Sequence, residues 1–175
     1  DKGQRIYFGA EEGVEKRREQ EKRIYELSQG GPVPYHMPVQ MPFRHLCNLL
    51  QIYGGDVASV KTRFGPLTSE QERRLEVRAR CAWNWITQFA PEDFRFALRD
   101  PGETAAETDS CEREALKSLR AEVEALDKHD EKSLAEAIYA IAEKAGLEPK
   151  AFFRTVYRAL IKKDQGPRLA GFILT

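Results

Sequence analysis

Between Leu75 and Phe89 the apolar residues Leu75, Ala79, Ala82, Ile86 and Phe89 advance by four, three, four and three positions. That cadence follows the 3.6-residue turn of an α-helix and places all five on one face. Val77, Cys81 and Trp85 form a second stripe beside it, so the helix over 70–89 is expected to be buried over a wide arc at the centre of the core. The other long segments also repeat their apolar residues at helical spacing. None alternates with the period of two that a half-buried strand needs. The patterning predicts an all-α fold, a multi-helix bundle.

Breakers and caps divide the chain. Residues 10–28 read as a charged, mostly solvated helix with apolar positions at Val14, Ile24, Tyr25 and Leu27, closed by Gly30, Gly31 and Pro32. Residues 32–42, PVPYHMPVQMP, read as an extended strap over a packed body, because each proline lacks an N–H donor and biases its predecessor away from helix. Pro42 suits the first turn of a helix through Phe43, Leu46, Leu49, Leu50 and Tyr53, and Asp56 can cap a short helix to about Phe64. Pro91 is expected to open another short helix, PEDFRFALR, with Glu92 and Asp93 in its first turn. After a loop at 100–109, three more helices are predicted, at about 110–127, 131–146 and 149–163. The first rests on Leu116, Leu119, Val123 and Leu126. Asp130 caps the second and Pro149 opens the third. The abrupt beginning and the apolar ending RLAGFILT lead to the expectation of a piece of something larger.

Several functions are excluded by absence of their chemistry. No stretch approaches the ~20 apolar residues of a membrane-spanning helix, and residues 1–5 lack signal-peptide features, so a cytoplasmic location is expected. Cys47, Cys81 and Cys111 show no CxxC pairing and are expected to be buried or half-buried thiols. The phosphate loop, the dinucleotide turn, the HExxH pair and the GxSxG elbow are all missing. His45 and Cys47, two apart on a helix, point to different faces, and His36 and His129 stand isolated. No catalytic residue, metal ligand or cofactor site is assigned to this chain.

Charge is more informative by region than in total. The 28 basic and 28 acidic side chains cancel, which argues against a protein that grips polyanions in bulk. Yet residues 103–136 carry eleven acids against five bases, and residues 144–175 seven bases against two acids. Within the basic end, Lys150, Arg154, Arg158 and Lys162 recur every four residues with Phe152, Phe153 and Tyr157 between them. A basic helical stripe interleaved with aromatics is one way to hold phosphates and stack unpaired bases; the same spacing also describes core aromatics with a solvated face opposite. The run of Arg73, Arg74, Arg78 and Arg80 is explained largely by intrahelical pairs such as Glu70 with Arg74 and Glu76 with Arg80.

The order of several segments carries a resemblance. RIYFG at 5–9, RIYELS at 23–28, MPVQMPFRHLCNLLQIYGGD at 37–56, PEDFRFAL at 91–98 and the long run at 137–173 that ends in GPRLAGFI are similar to the C-terminal half of class I lysyl-tRNA synthetases. PFRHL and YRALI with GPRLAGF are the more specific parts. The resemblance implies an all-α region like the α-helix cage of class I glutamyl- and lysyl-tRNA synthetases, which recognises the tRNA anticodon. It implies a helical connecting subdomain at 1–100, carrying the strap at 32–42, and a C-terminal anticodon-binding cage at 101–175. It further implies that the full-length protein is a lysine–tRNA ligase using ATP and Mg, with HIGH-like and KMSKS-like signatures upstream that this sequence lacks. This piece alone would be inactive. Its implied partners are the tRNA(Lys) anticodon arm and the catalytic domain of the same chain, acting as a monomer.

An unpaired anticodon offers phosphates to Arg and Lys, base faces to aromatic or guanidinium planes, and base edges to forked donors. On that chemistry the candidate RNA-binding residues are Arg44 and His45, directly after the strap, and Arg154, Arg158 and Arg168 around the last helices. Trp83 and Trp85 could serve as stacking platforms, although their apolar helix favours core packing. Arg168 could instead cap or salt-bridge the Gly166–Pro167 turn. The alternative function is an all-α protein-interaction module whose acidic and basic ends dock partner proteins without RNA.

Overall fold

The computed structural model describes residues 2–9, 15–38, 40–104, 106–125 and 130–175. Val14, Leu126 and His129, used in the reading above, lie outside the described residues. Among those described the regular structure is entirely helical, and no helix is long and apolar enough to cross a membrane.

Two helices open the chain, α1 (Lys2–Tyr7) and α2 (Glu15–Leu27), packed on one another. The sequence reading assigned no helix before residue 10. α1 is too short to be stable by itself; Ile6 is buried, and Tyr7 and Phe8 pack against Tyr25 of α2. The strap follows without regular structure. Its end is anchored by Met41, which is fully buried, while Gln40 Nε2 donates to Gln4 Oε1 at 2.9 Å and Arg78 donates to the Met41 carbonyl at 2.7 Å.

The first apolar cluster joins α3 (Phe43–Ile52), α4 (Val57–Thr62) and α5 (Ser69–Gln88). Leu46, Cys47, Leu49 and Leu50 of α3 meet Val60 of α4 and Leu75, Ala79, Ala82 and Ile86 of α5. Asp56 caps α4 through the Ala58 N–H, and Thr68 with Gln71 forms a reciprocal capping box on α5. Lys61 Nζ bonds Glu76 at 2.8 Å and Glu72 at 3.4 Å, so Glu76 is hydrogen-bonded across to α4, and the expected partner Arg80 acts on it through charge without a direct bond. Arg74 does pair with Glu70, at 2.9 Å.

α5 is less enclosed than its two stripes suggest. The first stripe is buried as far as Ile86, but Phe89 is exposed, and so are Val77 and Cys81 of the second. Among the described residues α3 and α4 pack closely on α5, whereas Val77 borders an open cleft shared with Gln4 of α1 and Pro38 of the strap. Of the thiols, Cys47 alone is buried; Cys81 and Cys111 are exposed, against expectation. Trp85 is half-buried in an edge-to-face row with Phe43 and Phe94, and Trp83 lies over Gly55.

The segment after Pro91 differs from the sequence reading most. It forms a single turn through Phe94 and then runs extended, with no PEDFRFALR helix. Its backbone groups find better partners elsewhere. The Phe96 N–H donates to the buried Gln51 Oε1 at 2.7 Å, and the Arg99 N–H to the Leu160 carbonyl at 2.7 Å. Phe94 packs on the first cluster and Phe96 on the second.

The second cluster is built by α6 (Ser110–Ala125), α7 (Glu131–Lys144), α8 (Pro149–Ile161) and α9 (Leu169–Ile173) around the fully buried Phe152, Leu134, Ile138 and Ala142. Asp130 caps α7 and Pro149 opens α8. α8 stops at Ile161 because Lys162 takes a left-handed conformation, φ 58°. Lys162 Nζ then pairs with Glu103, leaving the basic stripe one residue short.

Burial pushes the Cys47 thiol up to about 11, so at neutral pH it is protonated and shielded. A thiol reagent should therefore label Cys81 and Cys111 in the folded chain and Cys47 only after denaturation. Gly55 sits at φ +87° with the place of a Cβ 2.5 Å from Trp83 Cε2. Gly55→Ala is expected to cost roughly 2 kcal/mol in urea unfolding, through strain and clash together.

Candidate nucleic-acid interface

The turn between α8 and α9, residues 162–168, is the structural centre of the basic end. Two packing contacts hold it. The Tyr157 hydroxyl, from the buried face of α8, donates to the Pro167 carbonyl, and Gly166 comes so close to Tyr157 and Ile161 that a Cβ there would stand 2.9 Å from their side chains. Burial raises the Tyr157 phenol above its ordinary range, which keeps it protonated as the donor. Arg168, the residue before α9, makes no side-chain cap bond, and its side chain is 92% exposed with Glu131 Oε1 at 3.6 Å. The turn is thus held by Tyr157 and Gly166, with the arginine left at the surface.

On one side of this turn lies a cleft of about 490 Å³ bordered by Lys150, Phe153, Arg154, Asp164 and Arg168. Lys150 and Arg154 are four apart on α8 and share a face. Of the aromatics that the sequence interleaves with the basic residues, Phe152 points into the core, while Tyr157, largely buried, also borders this cleft. Phe153 borders it as well, edge-on to the exposed Tyr139 at 5.4 Å. Arg158 continues the stripe, but its Nε bonds Asp164 Oδ1 at 2.6 Å. That guanidinium holds the Asp164 carboxyl below the usual carboxylate range, with Arg154 adding to the effect, and Asp164 in turn raises Arg158. The pair is well exposed and contributes little to stability.

On the other side is a smaller cleft of about 240 Å³ where Arg44 and Asn48 of α3 meet Phe94, Lys163 and Gln165. Gln165 and Gly166 border both clefts, so the two flank one turn. Lys163 Nζ donates to the Glu92 carbonyl at 2.5 Å, tying the turn to the segment after Pro91. Arg99 does the same further back: its guanidinium donates to the carbonyls of Arg158, Ala159 and Thr104 at 2.9, 3.1 and 2.6 Å. Those α8 carbonyls belong to the last turn, which has no helical partners of its own.

Of the five sequence candidates, the structure brings Arg154 and Arg168 to one cleft, with Arg158 paired beside it, and Arg44 to the other. His45 borders neither, because one step along α3 turns it about 100° from Arg44. Asn48, Lys163 and Gln165 were not singled out from sequence. The one signal available for Asn48 was its i, i+4 spacing from Arg44; Lys163 and Gln165 sit in a turn whose path no periodicity describes. Among the described residues, no three His, Cys, Asp or Glu side chains gather as metal ligands.

No family model matches the chain. It is 42% identical over 154 residues to the lysine–tRNA ligase of Treponema pallidum, a match that covers 87% of this chain and 29% of that protein. It is 36% identical to the enzyme of Borreliella burgdorferi and 35% identical to that of Pyrococcus horikoshii, each over 99% of this chain. The chain belongs to the lysine–tRNA ligase family. It spans about a third of the length of the curated relatives it matches. In this member of the family the Tyr157 hydrogen bond is one of the contacts that hold the turn under the basic surface. Tyr157→Phe, which leaves the Pro167 carbonyl unpaired, is expected to lower stability by about 1 kcal/mol, read as a shift in the urea midpoint with the slope unchanged.

Proposed function

We propose that this chain is the tRNA-recognising part of a class I lysine–tRNA ligase and grips the anticodon arm with the surface around residues 162–168. The observation that carries the reading is the convergence of Lys150, Arg154 and Arg168 on one side of that turn and Arg44 and Lys163 on the other, with Asp164 and Asp93 bordering the clefts and Glu131 paired with Arg168. Family membership supplies the class of partner. The anticodon loop is single-stranded and presents phosphates and splayed bases, which is what clustered cations beside an exposed aromatic can hold.

In this proposal residues 101–175 form the anticodon-binding cage, and residues 1–100 connect it to a catalytic domain of the same polypeptide. The complete protein joins lysine to tRNA(Lys), as a cytoplasmic monomer. ATP and Mg serve the catalytic domain. The described residues offer them no phosphate loop and no metal-ligating cluster.

A hairpin carrying the lysine anticodon loop, titrated with the chain, is expected to bind, with affinity falling at least about tenfold between 50 and 200 mM salt if three or more phosphates are contacted. Arg154→Ala and Arg168→Ala should each weaken binding about three- to tenfold and flatten the salt slope. Arg158→Ala should do less, because its guanidinium is already committed to Asp164. A hairpin with an unrelated loop that binds equally well would overturn the reading.

A further inference from the structure

The smaller cleft contains chemistry that phosphate binding does not use. At about 240 Å³ it falls below the roughly 300–1,000 Å³ of sites for drug-sized ligands, which suits it to one planar ring. Phe94 gives it an aromatic wall, braced edge-on by Trp85 at 5.0 Å. Two side-chain amides border it, Asn48 from α3 and Gln165 from the turn, and neither has a hydrogen-bond partner among the described residues. Each amide presents an acceptor and two donors, the inventory needed to pair with a base edge. Asp93 also borders the cleft and offsets one of its two cations, Arg44 and Lys163. The cleft across the turn carries three cations, Lys150, Arg154 and Arg168, with Asp164 at its border and Glu131 paired with Arg168, and is the better place for backbone phosphates.

We infer that the cleft between Arg44 and the 162–168 turn takes one unpaired nucleobase of the bound RNA, with Asn48 and Gln165 reading its edge. The inference rests on the anticodon-arm reading above and adds the place and means of base discrimination. A base whose donors and acceptors match the two amides satisfies them. A mismatched base leaves a desolvated donor or acceptor unpaired, and that penalty supplies the selectivity.

The test uses the full chain and a set of RNA hairpins with a common stem, in which each loop position in turn carries U, C, A or G, with affinities read by fluorescence anisotropy. At one loop position the parent is expected to spread the four bases over at least about tenfold. Asn48→Ala and Gln165→Ala should each compress that spread below about threefold. Asn48→Asp keeps the side-chain shape but replaces the amide donor with an acceptor, and should change which base is preferred. Arg154→Ala should weaken all four in parallel. Comparing variants whose thermal midpoints match the parent separates reading from folding. The inference is overturned if the spread survives both alanine substitutions, if they weaken all four hairpins equally, or if the chain binds hairpins without base preference at any position; the anticodon-arm reading survives each of these. Failure of the chain to bind any of the hairpins removes that reading and this inference with it.

Discussion

Where the extended segment after Pro91 crosses between the two apolar clusters, its Phe96 N–H donates to the side chain of Gln51, which is only 4% exposed. The same amide donates to the Cys47 carbonyl within α3 at 3.3 Å. A buried amide is costly unless it is paired, so the segment and the helix are held to one arrangement. Phe94 and Phe96 then go to opposite clusters, and Arg99 and Lys163 tie the segment to the end of α8 and the turn beyond it. This crossing lets Arg44, from the first cluster, share a cleft with Lys163 and Gln165, from the second. Arg63, which donates to the Leu174 carbonyl at 3.3 Å, and Ile52, packed on the second cluster, add further links between the two halves.

Electrostatics act within that frame. The acidic helices and the basic end, separate in sequence, are brought together by packing. Glu112 of α6 accepts from Thr155 of α8 at 2.5 Å, Glu103 pairs with Lys162, and Glu131 lies near Arg168. These contacts offset part of the basic excess and leave Lys150, Arg154 and Arg44 without ion pairs among the described residues. A chain of zero net charge thereby still presents a local cluster of cations around the 162–168 turn. Such a distribution favours a short structured loop over polyanions in general.

Much of the helical framework was legible before any coordinates. The caps at Asp56 and Asp130, the opening at Pro149 and the buried stripe from Leu75 to Ile86 follow from local rules: a side-chain oxygen for orphan N–H groups, and apolar residues at a 3.6 period. What failed were features that needed knowledge of neighbours. PEDFRFALR has an acceptable helical pattern, yet Gln51 and the α8 carbonyls compete for its backbone and win. The second stripe of α5 was apolar enough to bury, but Val77 borders an open cleft with Gln4 and Pro38, and Cys81 stays exposed. Candidate site residues on regular helices, such as Arg154, could be named from spacing; those in the 162–168 turn could not.

The sequence by itself determined the all-α class, the positions of most helices, the regional separation of charge and, through its ordered segments, the resemblance to lysyl-tRNA synthetases. These properties depend on interactions within a few residues along the chain or on the order of the chain itself. The tertiary structure decided which cations remain at the surface, that Lys162 leaves the α8 stripe, and that Asn48 and Gln165, 117 positions apart in the chain, border one cleft. Those outcomes are set by long-range packing and buried hydrogen bonds, whose partners no local periodicity encodes.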